Sequence, residues 1–250
     1  NKPISLKEQL EEATEAANQA KQGLQDAKTA AQDLETAFSG YDSVLETLNS
    51  CTQGTQEWQD ALLGVNESVI DILSNAPQLA SMTNDAGESA IYRDENGALA
   101  IHDWAREQVT HDANQEKINA QAAVYQTDQN KRDLQEQQDY QDIVNKLYGE
   151  PIVDQLFNAI EDNVVDLKEL VGKTTDEMVD YMKDNIKETD SFKNGNVSED
   201  ELTTQLKDAV EIFSSSGILS DLKELQNTIS VNEKTKDTEN QALANMLIAN

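Results

Sequence analysis

The feature that most limits what this chain can fold into is a run of apolar residues from Leu6 to Leu48, spaced alternately by four and three without a slip. Its members are Leu6, Leu10, Ala13, Ala17, Ala20, Leu24, Ala27, Ala31, Leu34, Phe38, Tyr41, Leu45 and Leu48. A 3.5-residue repeat sets all of them along one narrow stripe of an α-helix, the seam of a coiled coil. Ser5 followed by Glu8 makes a capping box at its start. As one helix the segment is about 65 Å long at ~1.5 Å per residue. Alanine fills the middle of the seam, so a partner helix is expected to approach closely there, with less buried area per layer than leucine would give. Gly40 is the place where this helix is expected to bend or stop.

A turn is expected at Cys51–Gly54, after which Thr55 can cap a second helix. Its inner face is Trp58, Leu62, Val65, Val69 and Ile72, in the same four-three spacing, so the two helices are expected to form an antiparallel hairpin. Pro77 ends the second helix. Residues 84–101 break the helical pattern, and Ile91-Tyr92, Asp94-Glu95-Asn96-Gly97 and Ala98 to Ile101 predict a small β-hairpin near 90–101 turned by Asn-Gly. From Asp103, taken as a cap, a third long helix is expected to reach about Tyr148. Its middle, Gln126 to Gln141, is almost wholly polar, which predicts a solvent-spanning rod or a stretch covered by a partner outside this chain.

Gly149-Glu150-Pro151 is the expected boundary between an extended helical region, 1–150, and a compact helical bundle, 151–250. The bundle's expected helices are 152–171, 176–188 and 199–213, with two further segments near 219–230 and 238–249. The fold class is therefore mainly all-α: a heptad-patterned helical hairpin or coiled-coil region carrying a small β-hairpin, plus the bundle. The chain opens on Asn1 rather than Met and closes in a helical pattern, so a segment of a longer protein is expected.

Charge removes several classes of function. A formal charge of −29, with Lys and Arg scattered and no polybasic stretch, argues strongly against the clustered cations that displace counterions from nucleic acid, and it disfavours anionic membrane surfaces. No apolar run approaches the ~20 residues of a membrane-spanning helix. One cysteine, Cys51, allows neither an internal disulfide nor a thiolate zinc site.

One loop carries possible chemistry. Asp190 to Glu201 lies on the twelve-residue EF-hand pattern with Asp190, Asn194, Asn196, Ser198 and Glu201 at ligand positions 1, 5, 7, 9 and 12, and Gly195 at the turn. Hard Ca²⁺ takes six to eight oxygens, and these residue types supply them. Phe192 at position 3 has no oxygen, which removes a central ligand. The same letters also make a helix start, with Ser198 and Glu201 as a capping box and Asn194-Gly195 as a turn, and that simpler reading carries more weight. His102 and His111, nine residues apart on one helix, face opposite ways and cannot share a metal. The chain has no phosphate loop, nucleophile elbow or histidine–carboxylate zinc spacing, so no enzyme is expected. Trp58 and Trp104 are expected to be packed anchors on apolar helix faces.

The run Cys51-Thr52-Gln53-Gly54-Thr55-Gln56-Glu57-Trp58, with Ala61-Leu62, Val65-Asn66 and Pro77-Gln78-Leu79-Ala80, the Asn96-Gly97 hairpin and the long Gln/Ala-rich helix, resembles segments of the tail tape-measure proteins of phages and prophages. The resemblance covers roughly residues 1–150. It implies a structural role in the tail tube, setting tube length, and a place in the virion tail or in the bacterial cytoplasm during assembly. It carries over no catalytic residues. The interior β-hairpin and the compact bundle depart from a plain rod. The expected function is a structural or assembly protein acting through helix–helix contacts with protein partners or with itself, with no cofactor. The alternative is a calcium-binding helical module centred on 190–201.

Overall fold

The computed structural model describes residues 3–249 and is 77% helical. In chain order its elements are α1 (Leu6–Ser50), α2 (Gln56–Asn75), a 3₁₀ turn (Pro77–Ala80), β1 (Ile91–Arg93), β2 (Leu99–Ile101) and α3 (Asp103–Asn145). Then follow α4 (Asp154–Glu161), a second 3₁₀ turn (Leu167–Leu170), α5 (Thr175–Lys187), α6 (Asp190–Lys193), α7 (Glu199–Ser215) and α8 (Ile218–Ala249). Two compact units form. A hairpin unit takes Glu15–Thr127 and the end of α8 from Asn240; a bundle unit takes the residues up to Thr14 and Asp128–Glu239. The expected boundary at Gly149-Glu150-Pro151 falls inside the bundle unit, because Ile143 and Val144 of α3 and Leu147 just beyond it belong to the same core as Leu156 and Ile160.

All thirteen members of the α1 seam are buried or half-buried, and nearly every other α1 position is exposed. The helix passes Gly40 without a break. A methyl group added there would meet nothing within 4 Å, and the helical hydrogen bonds on either side hold the backbone. Glycine in an open helix interior costs roughly 0.5–1 kcal/mol relative to alanine. Gly40→Ala is therefore expected to raise the stability of the hairpin unit by about that amount, read from the urea midpoint. A loss of stability would mean that the helix needs glycine to bend there.

In the hairpin unit, Thr55 caps α2 by accepting from the Trp58 N–H at 3.2 Å. Val65, Val69 and Ile72 are fully buried against Leu34, Phe38 and Tyr41 of α1. The two helices come close at Gly64, where an added Cβ would sit 3.0 Å from Val44 Cγ1. The β-hairpin is present, with Ile91 opposite Ile101 and Arg93 opposite Leu99. Its turn differs from the Asn-Gly form. Only Gly97 has a left-handed backbone, φ +77°, while Asn96 does not. Asp94 organises the loop: its carbonyl accepts from Gly97 N–H at 3.0 Å, and its carboxylate accepts from Asn96 and Ala98 N–H at 2.9 and 3.0 Å. That is the longer hairpin loop closed by a glycine bulge. Asn66 of α2 ties it down by accepting from Leu99 N–H at 2.9 Å.

The bundle unit packs the second half of α3, α4 to α7 and most of α8 around Leu156, Leu167, Met182, Leu206 and Phe213. The expected helix 152–171 is two pieces. After α4, Asn163 adopts φ 59°, and Val164 and Val165 N–H both return to the Ala159 carbonyl. Asparagine tolerates this left-handed turn. Asp166 then caps the 3₁₀ turn by accepting from Lys168 N–H at 3.0 Å. The apolar spacing persists, but a different backbone carries it inward.

Two further expectations are corrected together. The segments near 219–230 and 238–249 are one helix, α8, and the polar middle of α3 is not a bare rod. Arg132 pairs with Glu239 at 2.8 Å, Gln129 donates to the same carboxylate at 3.2 Å, and Asn232 donates to Glu136 at 2.8 Å. The cover for the polar stretch is thus in this chain. Hydrogen-bonded polar residues at seam positions hold register where apolar ones would hold only area.

Candidate functional site

The seam of α1 is not uniformly covered. Leu34 and Phe38 are buried, whereas Leu24, Ala27 and Ala31 are only half-buried. The alanine stretch expected to draw a partner helix close is instead where the hairpin unit opens. A groove of about 900 Å³ lies there, bounded by α1 from Leu24 to Ser39, α3 from Arg106 to Gln121, and Met246 and Ala249 of α8. Each of the two long walls is about 22 Å in length at ~1.5 Å per residue. Its accessible apolar surface comes from the half-buried Leu24, Ala31 and Met246, while Leu34, Phe38 and Ile118 lie beneath it, only 3–6% exposed.

Three cations, Lys28, Arg106 and Lys117, and one carboxylate, Glu35, line the groove. Arg106 is committed. It grips Asp42 with both nitrogens, at 2.7 and 2.8 Å, and its guanidinium lies 4.6 Å from the centre of the Phe38 ring. That hydrogen-bonded guanidinium holds the Asp42 carboxyl below the usual carboxylate range, and the Asp42 carboxylate in turn raises Arg106. Lys28 and Lys117 differ: among the described residues neither forms an ion pair or a side-chain hydrogen bond. Both line the same groove as Arg106 and Phe38.

The EF-hand-like residues take up helix-end positions. Asp190 opens α6, whose start Thr189 caps by accepting from Phe192 N–H at 3.3 Å. Asn194 ends that short helix, with its N–H on the Asp190 carbonyl at 2.9 Å. Asn196 lies in the link to α7, Ser198 caps α7 by accepting from Glu201 N–H at 3.2 Å, and Glu201 sits in the first turn. Gly195 is not left-handed. Phe192, the residue without an oxygen, packs on the bundle core. Among the described residues, no group of three or more His, Cys, Asp or Glu side chains is arranged to hold a metal ion.

His102 is the residue just before α3, with Ala105 and Arg106 N–H on its carbonyl, so Asp103 is the first helical residue rather than the cap. The His102 ring stacks on Tyr92 at 4.1 Å and stands 3.7 Å from Glu88. His111 lies on the outer face of α3 near Glu107. Trp58 and Trp104 both pack on the hairpin core, and the Trp104 indole N–H is buried without a partner. In the bundle unit, burial pushes the Tyr140 phenol up to about 12, while its oxygen accepts from Leu167 N–H at 3.1 Å.

Sequence reasoning singled out neither Lys28 nor Lys117. On a heptad both read as solvated flank positions, and only their lack of nearby carboxylate partners could have marked them. Among the described residues no helix is long and apolar enough to cross a membrane. No family model, curated protein or solved structure matches this chain.

Proposed function

We propose that this protein is a structural, assembly-type module that acts through helix–helix contacts rather than through catalysis. The observation that carries the reading is a second apolar stripe on α2. Its inner face is buried, yet Leu63 and Ile70, one heptad apart on the outer face, are 59% and 57% exposed. Asp60, Glu67 and Asp71 flank them. A stripe of this spacing fits the seam of another helix, with the carboxylates at its rim setting partner choice. The partner is a helix of another subunit, a second copy of this chain being the first case to examine. The most specific form of the reading is a segment of a phage tail tape-measure protein, supported by the resemblance over residues 1–150 and by the three long helices α1, α3 and α8.

The test is sedimentation velocity of the chain over a wide concentration range, beside the double variant Leu63→Gln/Ile70→Gln. Association that the double variant abolishes is the expected result. A wild-type chain that stays monomeric throughout would remove the case for self-association through α2. A very long parent chain with repeated polar helices would favour the tail-length form.

A further inference from the structure

We propose that Asn194 is a site of spontaneous backbone modification, where the side-chain amide closes onto the Gly195 nitrogen as a succinimide that water opens to aspartate and isoaspartate. The Gly195 nitrogen, once it has lost its proton to a base in solvent, attacks the Asn194 Cγ carbon. A carbon–nitrogen bond forms, the bond from Cγ to Nδ2 breaks, and ammonia leaves. Water then cleaves the ring at Cγ to give aspartate, or at the main-chain carbonyl to give isoaspartate, whose chain runs through Cβ and Cγ. One water enters and one ammonia departs, with no change of oxidation state.

The chain has two Asn-Gly pairs, Asn96-Gly97 and Asn194-Gly195. Glycine opens this chemistry to both, because it has no Cβ to shield the attacking nitrogen or to restrict its backbone. In the folded chain each glycine N–H is held in a hydrogen bond, to Asp94 or to Phe192. Reaction therefore needs a local opening, and its rate follows what that opening must break. At Asn96 it breaks much. The Asp94 carbonyl holds Gly97 N–H at 3.0 Å, and the Asp94 carboxylate holds Asn96 and Ala98 N–H at 2.9 and 3.0 Å. Asp94 N–H in turn donates to the Ala98 carbonyl at 2.9 Å, and Arg93 reaches the Gly97 carbonyl at 2.8 Å. Ala98 is fully buried, so the peptide beside it cannot turn alone.

At Asn194 little stands in the way. The residue is exposed and ends α6, a single turn of four residues. Its side chain has no hydrogen-bond partner among the described residues. Gly195 N–H rests on the Phe192 carbonyl at 3.1 Å. Beyond it, the N–H groups of Asn196, Val197 and Ser198 make no hydrogen bond among the described residues, so the link to α7 can follow a turned peptide. Either product adds a carboxylate to a link that already carries Asp190, Glu199, Asp200 and Glu201. Isoaspartate also lengthens the main chain between Phe192 and Val197, both of which pack on the bundle core.

The modification is independent of the stripe on α2, so either reading can fail while the other stands. The experiment is incubation of the 250-residue chain in mildly alkaline buffer, folded and in guanidinium chloride, with digestion at acid pH and peptide mapping by mass spectrometry over time. In the folded chain Asn194 is expected to convert at least about tenfold faster than Asn96, with isoaspartate among the products. In guanidinium chloride the two pairs are expected to react at similar rates, because the bonds that distinguish them are gone. Asp94→Ala removes the carboxylate ties and keeps the Asn-Gly pair. It is expected to speed Asn96 and to leave Asn194 unchanged. Equal rates in the folded chain, faster conversion of Asn96, aspartate without isoaspartate, a difference that persists in guanidinium chloride, or an Asp94→Ala variant whose Asn96 stays as slow as in the wild type would each overturn the proposal.

Discussion

Replacing Phe213 with alanine is expected to cost the bundle unit about 3–5 kcal/mol, the usual range for deleting a fully buried aromatic side chain. Phe213 projects from α7, is 0% exposed, and shares its core with Met182 and Ile186 of α5 and Leu222 of α8. Three helices meet around it, so the vacated space cannot close by moving one of them. Phe213→Leu keeps most of the volume and is expected to cost under about 1.5 kcal/mol. Hydrogen exchange along α5 and α7 reads the effect directly. The two tryptophans, Trp58 and Trp104, both lie in the hairpin unit, so their fluorescence follows that unit alone. A loss below about 1 kcal/mol for the alanine variant would show that Phe213 is not packed as described.

The second large effect concerns Arg132 and Glu239. Their side chains are 24% and 14% exposed, well withdrawn from water for a charged pair. Glu239→Ala leaves Arg132 without its counter-ion and Gln129 without its acceptor, and is expected to cost about 2 kcal/mol, the order of a charged hydrogen bond lost from a half-buried site. Replacing both partners by leucine removes the desolvation cost with the attraction, so the double variant is expected to match or exceed wild-type stability. Chemical denaturation of the wild type, Arg132→Leu, Glu239→Leu and the double variant gives the coupling energy. It is expected to be at least about 2 kcal/mol when one single loss is of that size and the double variant is no less stable than the wild type. If the two single losses simply add in the double variant, the pair is a surface contact without structural weight.

The long-range geometry of α1 could be read from its residues, because a strict four-three spacing admits one stripe on one kind of helix. Thr55 and Ser198 likewise announce helix starts through a local hydrogen bond that needs no tertiary partner. Misreadings arose where a local rule met a distant contact. Gly40 and the polar run of α8 each looked like an interruption, yet continuous helical bonding and pairing with Arg132 and Glu136 keep both helices whole. At Asp162-Asn163 the apolar period predicted a helix, and a left-handed asparagine broke it. The groove was the least legible part. Leu24, Ala31, Leu34 and Phe38 of its α1 wall read as apolar seam residues, but whether a seam is filled or open depends on the spacing of two helices far apart in sequence. Lys28 and Lys117 line one groove only because α3 is set beside α1.

The polar face of α3 also bears on the order in which the chain is made. Of the described elements α8 leaves the ribosome last, so for much of synthesis Gln129, Arg132 and Glu136 wait for partners that do not yet exist. An apolar face of the same length would spend that interval as a sticky surface, open to wrong neighbours on the same or other nascent chains. A face built from glutamine, arginine and glutamate stays hydrated while it waits. It then exchanges water for Asn232 and Glu239 once α8 arrives.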